Sequence, residues 1–272
     1  MTGCLNPGWP CAMTGAVTAL SGFSGIAVII HGSSGCYFYP ATLLHTDLHS
    51  TFLVEQEVIF GTGDRLACLV KDLSGSFEKV AVVNSCVPSV LGEDTRDILS
   101  EFDIIFVDTP GFTGDFESGY LGAMKVLPVS PGPDTNRVNI DGINLIDPFA
   151  RGNQREAERL LRLMGLSVGT VFCHDTCQAL NTTAGFSVTV NPDLGSGNGQ
   201  EMGSFLGLAA IRTTADSLAD RFCNAETGRI EKEIRTVGER IIKAADKYLK
   251  RFDPPSVAIF STSCRMQGLG GL

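Results

Sequence analysis

The sequence has few aromatic and ionisable side chains and no long apolar run. Its 272 residues include one tryptophan, four tyrosines and four histidines, and only 19% are charged. Acidic residues outnumber basic ones, 30 against 21, so the net charge is −9. A nucleic-acid-binding protein normally carries a basic face, which argues against that class. The apolar run at residues 26–30 is far shorter than the roughly 20 residues of a membrane helix, so we expect no membrane association.

Three motifs of common functional classes are also absent. The sequence has no G-x-x-x-x-G-K-[ST], so the chain is not a P-loop ATPase. It has no CxxC pair, which disfavours a structural zinc site. Its amino-terminal segment does not pair basic residues with an apolar run and a cleavage site, so we expect a cytoplasmic protein. Its nine cysteines are odd in number, and cytosolic thiols stay reduced, which leaves buried, metal-ligating or redox roles.

Alternating apolar runs and amphipathic segments predict an α/β fold. Continuous apolar runs are typical of strands covered on both faces, as in parallel sheets. Such runs occur at residues 26–31, 80–84 and 103–108, and helices are predicted at residues 14–21, 63–73 and 95–102. This alternation is typical of a doubly wound, Rossmann-like unit, which we assign to residues 1–127.

A proline- and glycine-rich stretch at residues 126–141 predicts a boundary to a second α/β unit at residues 128–252. Strands are predicted there at residues 167–172 and 187–191, and helices at residues 154–164, 199–210 and 225–249. Two prolines then precede a further strand at residues 256–260 with no crossover after it. We therefore expect repeated doubly wound units with parallel sheets, with a truncated third unit beginning at residues 253–272.

Three cysteines occupy positions that favour ligand binding or metal ligation. Cys36 and Cys86 each follow a predicted strand directly, and ligands of open α/β sheets bind at the carboxyl ends of strands. Gly35, in the turn before Cys36, permits close backbone approach to a ligand. Cys11 precedes a predicted helix, a position that favours the thiolate. Dispersed cysteines of this kind suit an iron–sulfur cluster better than a structural zinc ion.

Five segments in fixed order resemble the nitrogenase component 1 family. They are C-A-M-T-G-A from Cys11, H-G-S-S-G-C from His31, E-Q-E-V-I-F-G-T-G from Glu55, N-S-C-V-P-S-V-L-G-E-D from Asn84 and D-T-P-G-F-T-G from Asp108. The resemblance implies that Cys11, Cys36 and Cys86 ligate a 4Fe-4S cluster, with Gly35 beside it. It also implies an oxidoreductase that receives electrons from a separate, ATP-hydrolysing iron protein.

The resemblance also bears on the substrate. In the molybdenum–iron α subunit a cysteine after a second-unit strand and a third-unit histidine anchor the catalytic cofactor, whereas residues 190–194 here contain no cysteine. We therefore expect similarity in kind to the tetrapyrrole-reducing members, which need no such anchor, with a tetrapyrrole as bound substrate. A metallocluster-assembly scaffold without turnover is the alternative, and a remnant that binds no cluster is a third reading.

Three cysteines leave a cubane cluster one ligand short. The fourth ligand could come from Cys4, an aspartate, water or another subunit. We therefore expect the cluster to lie at or near an interface with an identical or homologous component 1 subunit, in a dimer or heterotetramer. Glu55 and Glu57 are expected near that partner.

Other side chains have both a structural and a chemical interpretation. Cys173, His174, Asp175 and Cys177 could form a second metal site or simply be buried. His45 and His49 could form a metal pair or supply a proton, or could be surface residues. His31 is expected to cap the turn before Cys36. The remaining expectations are structural: Cys68 in the core, Cys223 and Cys264 as packing residues, and a tight turn at residues 195–203.

Overall fold

The computed structural model describes residues 10–133 and 136–252. Within them are two four-stranded sheets in which every strand pairing is parallel. The first sheet has the order β2-β1-β3-β4 and the second has β6-β5-β7-β8, so the same strand order occurs twice. This confirms the predicted α/β class with parallel sheets.

The first sheet follows the predicted apolar runs closely. Its strands are β1 (Ile26–His31), β2 (His49–Ser50), β3 (Lys79–Asn84) and β4 (Ile104–Asp108). Its helices are α1 (Ala12–Ser21), α2 (Ser34–Leu44), α3 (Glu55–Phe60), α4 (Gly63–Ser74), α5 (Cys86–Leu91), α6 (Thr95–Ile98) and α7 (Phe116–Lys125). All six residues of β1 are buried, as expected for a central strand covered on both faces.

The second sheet differs from its prediction at two strands. Its elements are β5 (Arg137–Asp141), α8 (Ala150–Leu163), β6 (Ser167–Val171), β7 (Phe186–Thr189), β8 (Gln200–Ser204), α9 (Leu208–Arg221) and α10 (Gly228–Leu249). The helix predicted at residues 199–210 was wrong except for residues 208–210, where α9 begins, because β8 lies at residues 200–204 and pairs with β7. The tight turn predicted at residues 195–203 was wrong from residue 200 for the same reason. β8 is a half-exposed edge strand, so its residues lack the apolar character that would reveal it. β5 lies within the stretch interpreted as a boundary.

The two sheets share a hydrophobic core. One continuous cluster of buried side chains contains Leu20 and Val83 from the first sheet region together with Ile140 and Val188 from the second. The predicted unit boundary at residues 127–128 falls between β4 and β5 and remains a prediction. The predicted third unit at residues 253–272 lies outside the described residues. Among the described helices, none combines the length and apolar character needed to cross a bilayer.

Helices α1 and α7 pack backbone against backbone at two glycines. A Cβ placed on Gly119 would lie 1.8 Å from the carbonyl oxygen of Ala12, and one on Gly15 would lie 2.0 Å from that of Phe116. Any side chain at either position would therefore force the helices apart. This close crossing brings the start of α1 next to the segment that leads into α7.

Candidate metal-cluster site

The predicted cysteines Cys36 and Cys86 flank the crevice at the reversal point of the first sheet. β1 and β3 are neighbours whose last residues, His31 and Asn84, pair directly, and the strand order reverses between them. Cys36 lies in the first turn of α2, which follows β1, and Cys86 is the first residue of α5, which follows β3. Ligands of doubly wound folds bind at this point, as the strand-end argument expects.

Cys11 reaches the same edge of the sheet through the helix crossing. It occupies the N-cap position of α1 and forms an isolated antiparallel bridge with Asp115, whose side chain caps α7. The sulfur of Cys11 lies 3.6 Å from the hydroxyl of Thr14. The glycine crossing between α1 and α7 therefore sets the position of this thiol relative to the loop after β4.

Gly111 lies against two of the three thiols. Its N–H donates to the sulfur of Cys86 at 3.2 Å. A Cβ placed on Gly111 would lie 3.0 Å from the sulfur of Cys11 and 3.4 Å from that of Cys86. Both sulfurs therefore lie against the one face of Gly111 that has no side chain.

Cys36 approaches the site through Ser85, the residue before Cys86. A Cβ placed on Gly32 would lie 1.9 Å from the Ser85 hydroxyl oxygen and 3.8 Å from the Cβ of Cys36. The three cysteines are all half-buried, so their sulfurs remain accessible to a ligand. Gly35 is exposed, and a Cβ there would meet nothing within 4 Å. Neither Gly32 nor Gly35 adopts a positive φ. Glycine is needed at position 32 because the Ser85 hydroxyl lies where a side chain would begin.

The donors at this crevice do not form a site for a single metal ion. Within residues 10–133 and 136–252, no three His, Cys, Asp or Glu side chains converge closely enough to hold one metal ion. A group of several irons and sulfides is larger than one ion and needs ligands set further apart. The space left by Gly111 and the sulfur donors both suit such a group.

Local polarity at the site also suits an anionic cluster. Cys11 and Cys36 lie at the starts of helices of 10 and 11 residues, whose positive dipole ends favour negatively charged sulfur. In addition, the hydroxyl oxygens of Ser85 and Thr109 are buried at this edge without a hydrogen-bond partner among the described residues. A buried hydroxyl without a partner is unfavourable, and a bound group with acceptor atoms would relieve it.

A buried histidine network supports the loops that carry the cysteines. His31 is fully buried, with Nδ1 3.1 Å from the hydroxyl of Thr51 and Nε2 3.0 Å from that of Thr62. The hydroxyl of Thr62 donates to the Glu93 carboxylate, whose other oxygen accepts from the backbone N–H of Thr62 at 2.9 Å. Because Thr62 donates to Glu93, Nε2 of His31 donates to Thr62. Since burial keeps the ring neutral, Nδ1 accepts from Thr51. His31 is therefore a neutral structural link, not the turn cap that the sequence predicts.

Burial lowers the pKa of His31 to about 4, and the opposing attraction of Glu93 only partly offsets that effect. Glu93 can reach Thr62 because Gly92 ends α5 with a left-handed φ of 70°, which glycine adopts without strain. The network thus connects the strand before Cys36 with the segment that follows the Cys86 helix.

Cys173 and Cys177, the second cysteine candidates, are structural. Both are buried, and the Cys173 sulfur donates to the carbonyl oxygen of Thr18 in α1 at 3.2 Å. Burial raises the pKa of Cys173 to about 12 and also raises the pKa of Cys177, so both remain thiols. The carboxylate of Asp175 accepts from the backbone N–H groups of Val171 and Thr176.

Several remaining residues depart from their expected positions. Cys68 was predicted in the core but is exposed, because it lies on the outer side of α4, and Cys223 is also exposed. His45 ends α2, and the ring of His49 packs edge-on against Phe77. Cys4 and Cys264 lie outside the described residues.

At the corresponding point of the second sheet, two backbone segments approach each other closely. A Cβ placed on Gly142, directly after β5, would lie 2.5 Å from the carbonyl oxygen of Asn191, which follows β7. Beside it, the carboxylate of Asp141 accepts from the hydroxyl and N–H of Ser196 at 2.6 and 2.7 Å. Burial raises the pKa of Asp141, although these hydrogen bonds favour its charged form. Asp141 is thus a satisfied buried group.

Comparison with known proteins gives this geometry a family context. The sequence model of one protein family, the nitrogenase component 1 type oxidoreductases, matches residues 11–269. The chain belongs to this family. Its relatives include the nitrogenase molybdenum-iron protein beta chains of Frankia alni, 30% identical over 189 residues, and of Sinorhizobium fredii, 30% identical over 205 residues. The first alignment covers 60% of this chain and 36% of that relative, and the second covers 65% and 39%.

A second kind of relative is the nitrogenase iron-molybdenum cofactor biosynthesis protein NifE of Clostridium pasteurianum. It is 27% identical over 156 residues, which cover 51% of this chain and 34% of the relative. Among solved structures, nitrogenase Cp1 at pH 6.5 aligns with 88% of this chain and 63% of its own at a TM-score of 0.72 and 18% identity, a likeness of fold. The chain therefore spans between a third and two fifths of the length of these curated relatives.

Proposed function

We propose that this chain is a cluster-binding subunit of a nitrogenase-like oxidoreductase, with Cys11, Cys36 and Cys86 as the ligands of a 4Fe-4S cluster. The observation that carries the proposal is the contact of the Cys11 and Cys86 sulfurs with the open face of Gly111, with Cys36 across the same crevice. When bound, the cluster supplies one-electron transfer. The chain's own residues hold it, donate an N–H to the Cys86 sulfur and keep the crevice partly closed to water.

The direct test is metal analysis after anaerobic purification. We expect stoichiometric iron and sulfide with absorbance near 400 nm in the wild type, and a loss of at least about half of the iron in Cys36→Ala, because one of three ligands is removed. Cys68→Ala is the matched control, since Cys68 belongs to the same half of the chain but is exposed outside the site. Equal iron in Cys36→Ala and wild type would count against Cys36 as a ligand.

An apolar surface beside the site supports a protein partner. We define the α3–α5 surface as Val54, Ile59, Phe60, Val90 and Leu91, all exposed, with Phe60 86% and Val90 75% accessible. A groove of about 500 Å³ next to it includes Val87, the neighbour of Cys86. Exposed apolar patches of this kind mark interaction sites. We assign the surface to a homologous or identical component 1 subunit, which would also supply the fourth cluster ligand.

The partner assignment has its own measurement. Native mass spectrometry of the cluster-loaded protein should give a dimer or higher oligomer, alone or with a co-expressed homologue. Phe60→Glu should convert it to monomer, because a charge would be buried at the interface. Glu101→Gln, an exposed change outside the surface, should leave the mass unchanged. A wild type that stays monomeric in both settings would remove the assignment.

The electron donor and the substrate are further parts of this proposal. We propose that a separate ATP-hydrolysing iron protein delivers the electrons. We propose that the substrate reduced is a bound tetrapyrrole. The cofactor-anchoring cysteine is missing from residues 190–194, where Asn191 instead packs against Gly142. ATP-dependent reduction of candidate tetrapyrroles with an iron protein and partner subunit is the test. Turnover of none of them would remove this assignment.

The similarity to NifE favours a second candidate, a cluster-assembly scaffold. A scaffold would hold its cluster without substrate reduction and release it to an acceptor protein. Transfer of labelled iron from the loaded chain to an apo-acceptor, without substrate turnover, would identify that role.

A further inference from the structure

We infer that the hydroxyl of Ser85 is a hydrogen-bond donor to a sulfur of the bound cluster, and so a positioning residue that sets the cluster's redox properties. The inference rests on the proposed function and adds a residue to that site. Ser85 is not a ligand in this proposal. It acts through a proton held towards sulfur.

The first observation is that Ser85 does not use its hydroxyl where a serine normally would. It occupies the N-cap position of α5, where serine side chains usually accept from the backbone N–H groups of the first turn. Here its side chain makes no such cap, and its backbone is engaged instead, with its N–H donating to the carbonyl of His31 at 3.0 Å. The hydroxyl is thereby free to serve another acceptor.

The second observation is that this hydroxyl is fully buried and without a partner. Ser85 has 0% relative accessibility, and its oxygen has no hydrogen-bond partner among the described residues. A buried polar group left without a partner costs roughly 1–3 kcal/mol of stability. Such a group is retained at a site where a bound acceptor completes it.

The third observation is the direction of the hydroxyl. Its oxygen would be 1.9 Å from a Cβ on Gly32, and that same point is 3.8 Å from the Cβ of Cys36. Gly32 therefore leaves the space that the hydroxyl occupies beside Cys36. Ser85 also directly precedes Cys86, so its side chain belongs to the turn that carries this proposed ligand.

Sulfur acceptors explain why a donor is useful there. Hydrogen bonds to cluster sulfurs stabilise the more negative, reduced state and raise the reduction potential. Loss of one donor should therefore shift the potential downwards. We expect Ser85→Ala to reduce the reduced-to-oxidised ratio at a fixed potential by roughly fivefold, the size expected for one net hydrogen bond.

The matched control is Ser89→Ala, one turn further along α5. The Ser89 hydroxyl already donates to the carbonyl of Ser85 at 2.9 Å, so the same chemical change there removes a bond within the protein. Redox titration followed by electron paramagnetic resonance should show the downward shift in Ser85→Ala and not in Ser89→Ala. Thermal unfolding of the cluster-free proteins should show the opposite pattern, with Ser85→Ala unchanged or more stable and Ser89→Ala less stable.

The outcomes separate this inference from the proposed function. A wild type that binds no iron overturns both. A wild type that binds a cluster, with a Ser85→Ala potential equal to its own, overturns the role of Ser85 and leaves the cluster site intact. Destabilisation of cluster-free Ser85→Ala would also overturn it, because the hydroxyl would then have a partner within the protein.

Discussion

The imidazole of His31 and the carboxylate of Glu93 are connected through the hydroxyl of Thr62, in a buried chain that the cluster site itself does not include. The carboxylate oxygen lies 3.9 Å from Nε2 of His31. The chain ties the strand before Cys36 to the segment after the Cys86 helix. It therefore fixes the two sides of the crevice relative to each other before any ligand binds.

This relationship predicts a pH dependence of stability. The pKa of His31 is about 4 in the folded protein and near its ordinary value of 6.5 when unfolded, so the unfolded chain binds the proton first. Stability is complete above pH 6.5 and falls as the pH drops towards 4, by up to about 3 kcal/mol. Urea unfolding between pH 7.5 and 4 would measure it. His31→Gln should show a flatter profile in that window, and equal slopes would contradict the assignment.

Gly111→Ala should weaken cluster retention without unfolding the protein. Its φ is not in the left-handed region, so alanine fits the backbone, but the new methyl group would lie 3.0 Å from the Cys11 sulfur in the space assigned to the cluster. We expect iron content to fall several-fold while circular dichroism and the cluster-free melting temperature stay within error. Gly122→Ala on α7 is the control, since its Cβ would meet only the Thr109 methyl at 3.5 Å. Full iron retention in Gly111→Ala would argue that the cluster lies elsewhere.

Gly119→Ala should destabilise the fold at the crossing of α1 and α7. The added carbon would lie 1.8 Å from the carbonyl oxygen of Ala12, so the helices must separate at a cost of roughly 1–3 kcal/mol. Because Cys11 starts α1, iron retention should fall as well. Denaturant unfolding measures the first effect and iron analysis the second. The same change at Gly122, three residues along the helix, should be neutral or stabilising by about 0.5–1 kcal/mol.

Asn139→Leu should destabilise the second sheet. The buried side chain of Asn139 accepts from the N–H groups of Thr170 and Ala184 at 3.0 Å each and donates to the carbonyl of Ala184 at 2.8 Å. Leucine would leave these buried groups unpaired, with a loss of roughly 2–5 kcal/mol in the free energy of unfolding. Asn136→Ala removes one exposed hydrogen bond and should change it by less than about 1 kcal/mol. Equal effects would contradict the bridging role of Asn139.

Sequence reasoning predicted three of the four strands of the first sheet, because these three are continuous apolar runs. The two-residue edge strand β2, which has no apolar residue, was missed. β1 has the predicted bounds, and β3 and β4 differ from theirs by one residue at the start. β8 was missed because an edge strand needs little apolar burial and its sequence, Q-E-M-G-S, is mainly polar. β5 was missed because Asn139 and Asp141 interrupt its apolar residues, although both are buried and hydrogen-bonded.

At the site, too, the features marked by apolar runs were predictable and those that depend on packing were not. Cys36 and Cys86 could be placed near strand ends from the apolar runs alone, since Cys36 follows the end of β1 by five residues and Cys86 follows the end of β3 by two. The position of Cys11 depends on Gly15 and Gly119, which are far apart in sequence and carry no apolar signal. The Ser85 hydroxyl and the His31 network depend on which buried polar atoms find partners, and that is a property of the folded chain only.

The repeated strand order has a consequence for where new chemistry could be engineered. The strand order of each sheet reverses at its centre, so the fold offers two geometrically related crevices, yet the close approach of Gly142 and Asn191 narrows the second with main-chain atoms. The first crevice is therefore the one to which the proposed cluster is assigned. Remodelling the short loop after β7, with the sheet itself left untouched, is the route by which a designer could open a second reactive cleft.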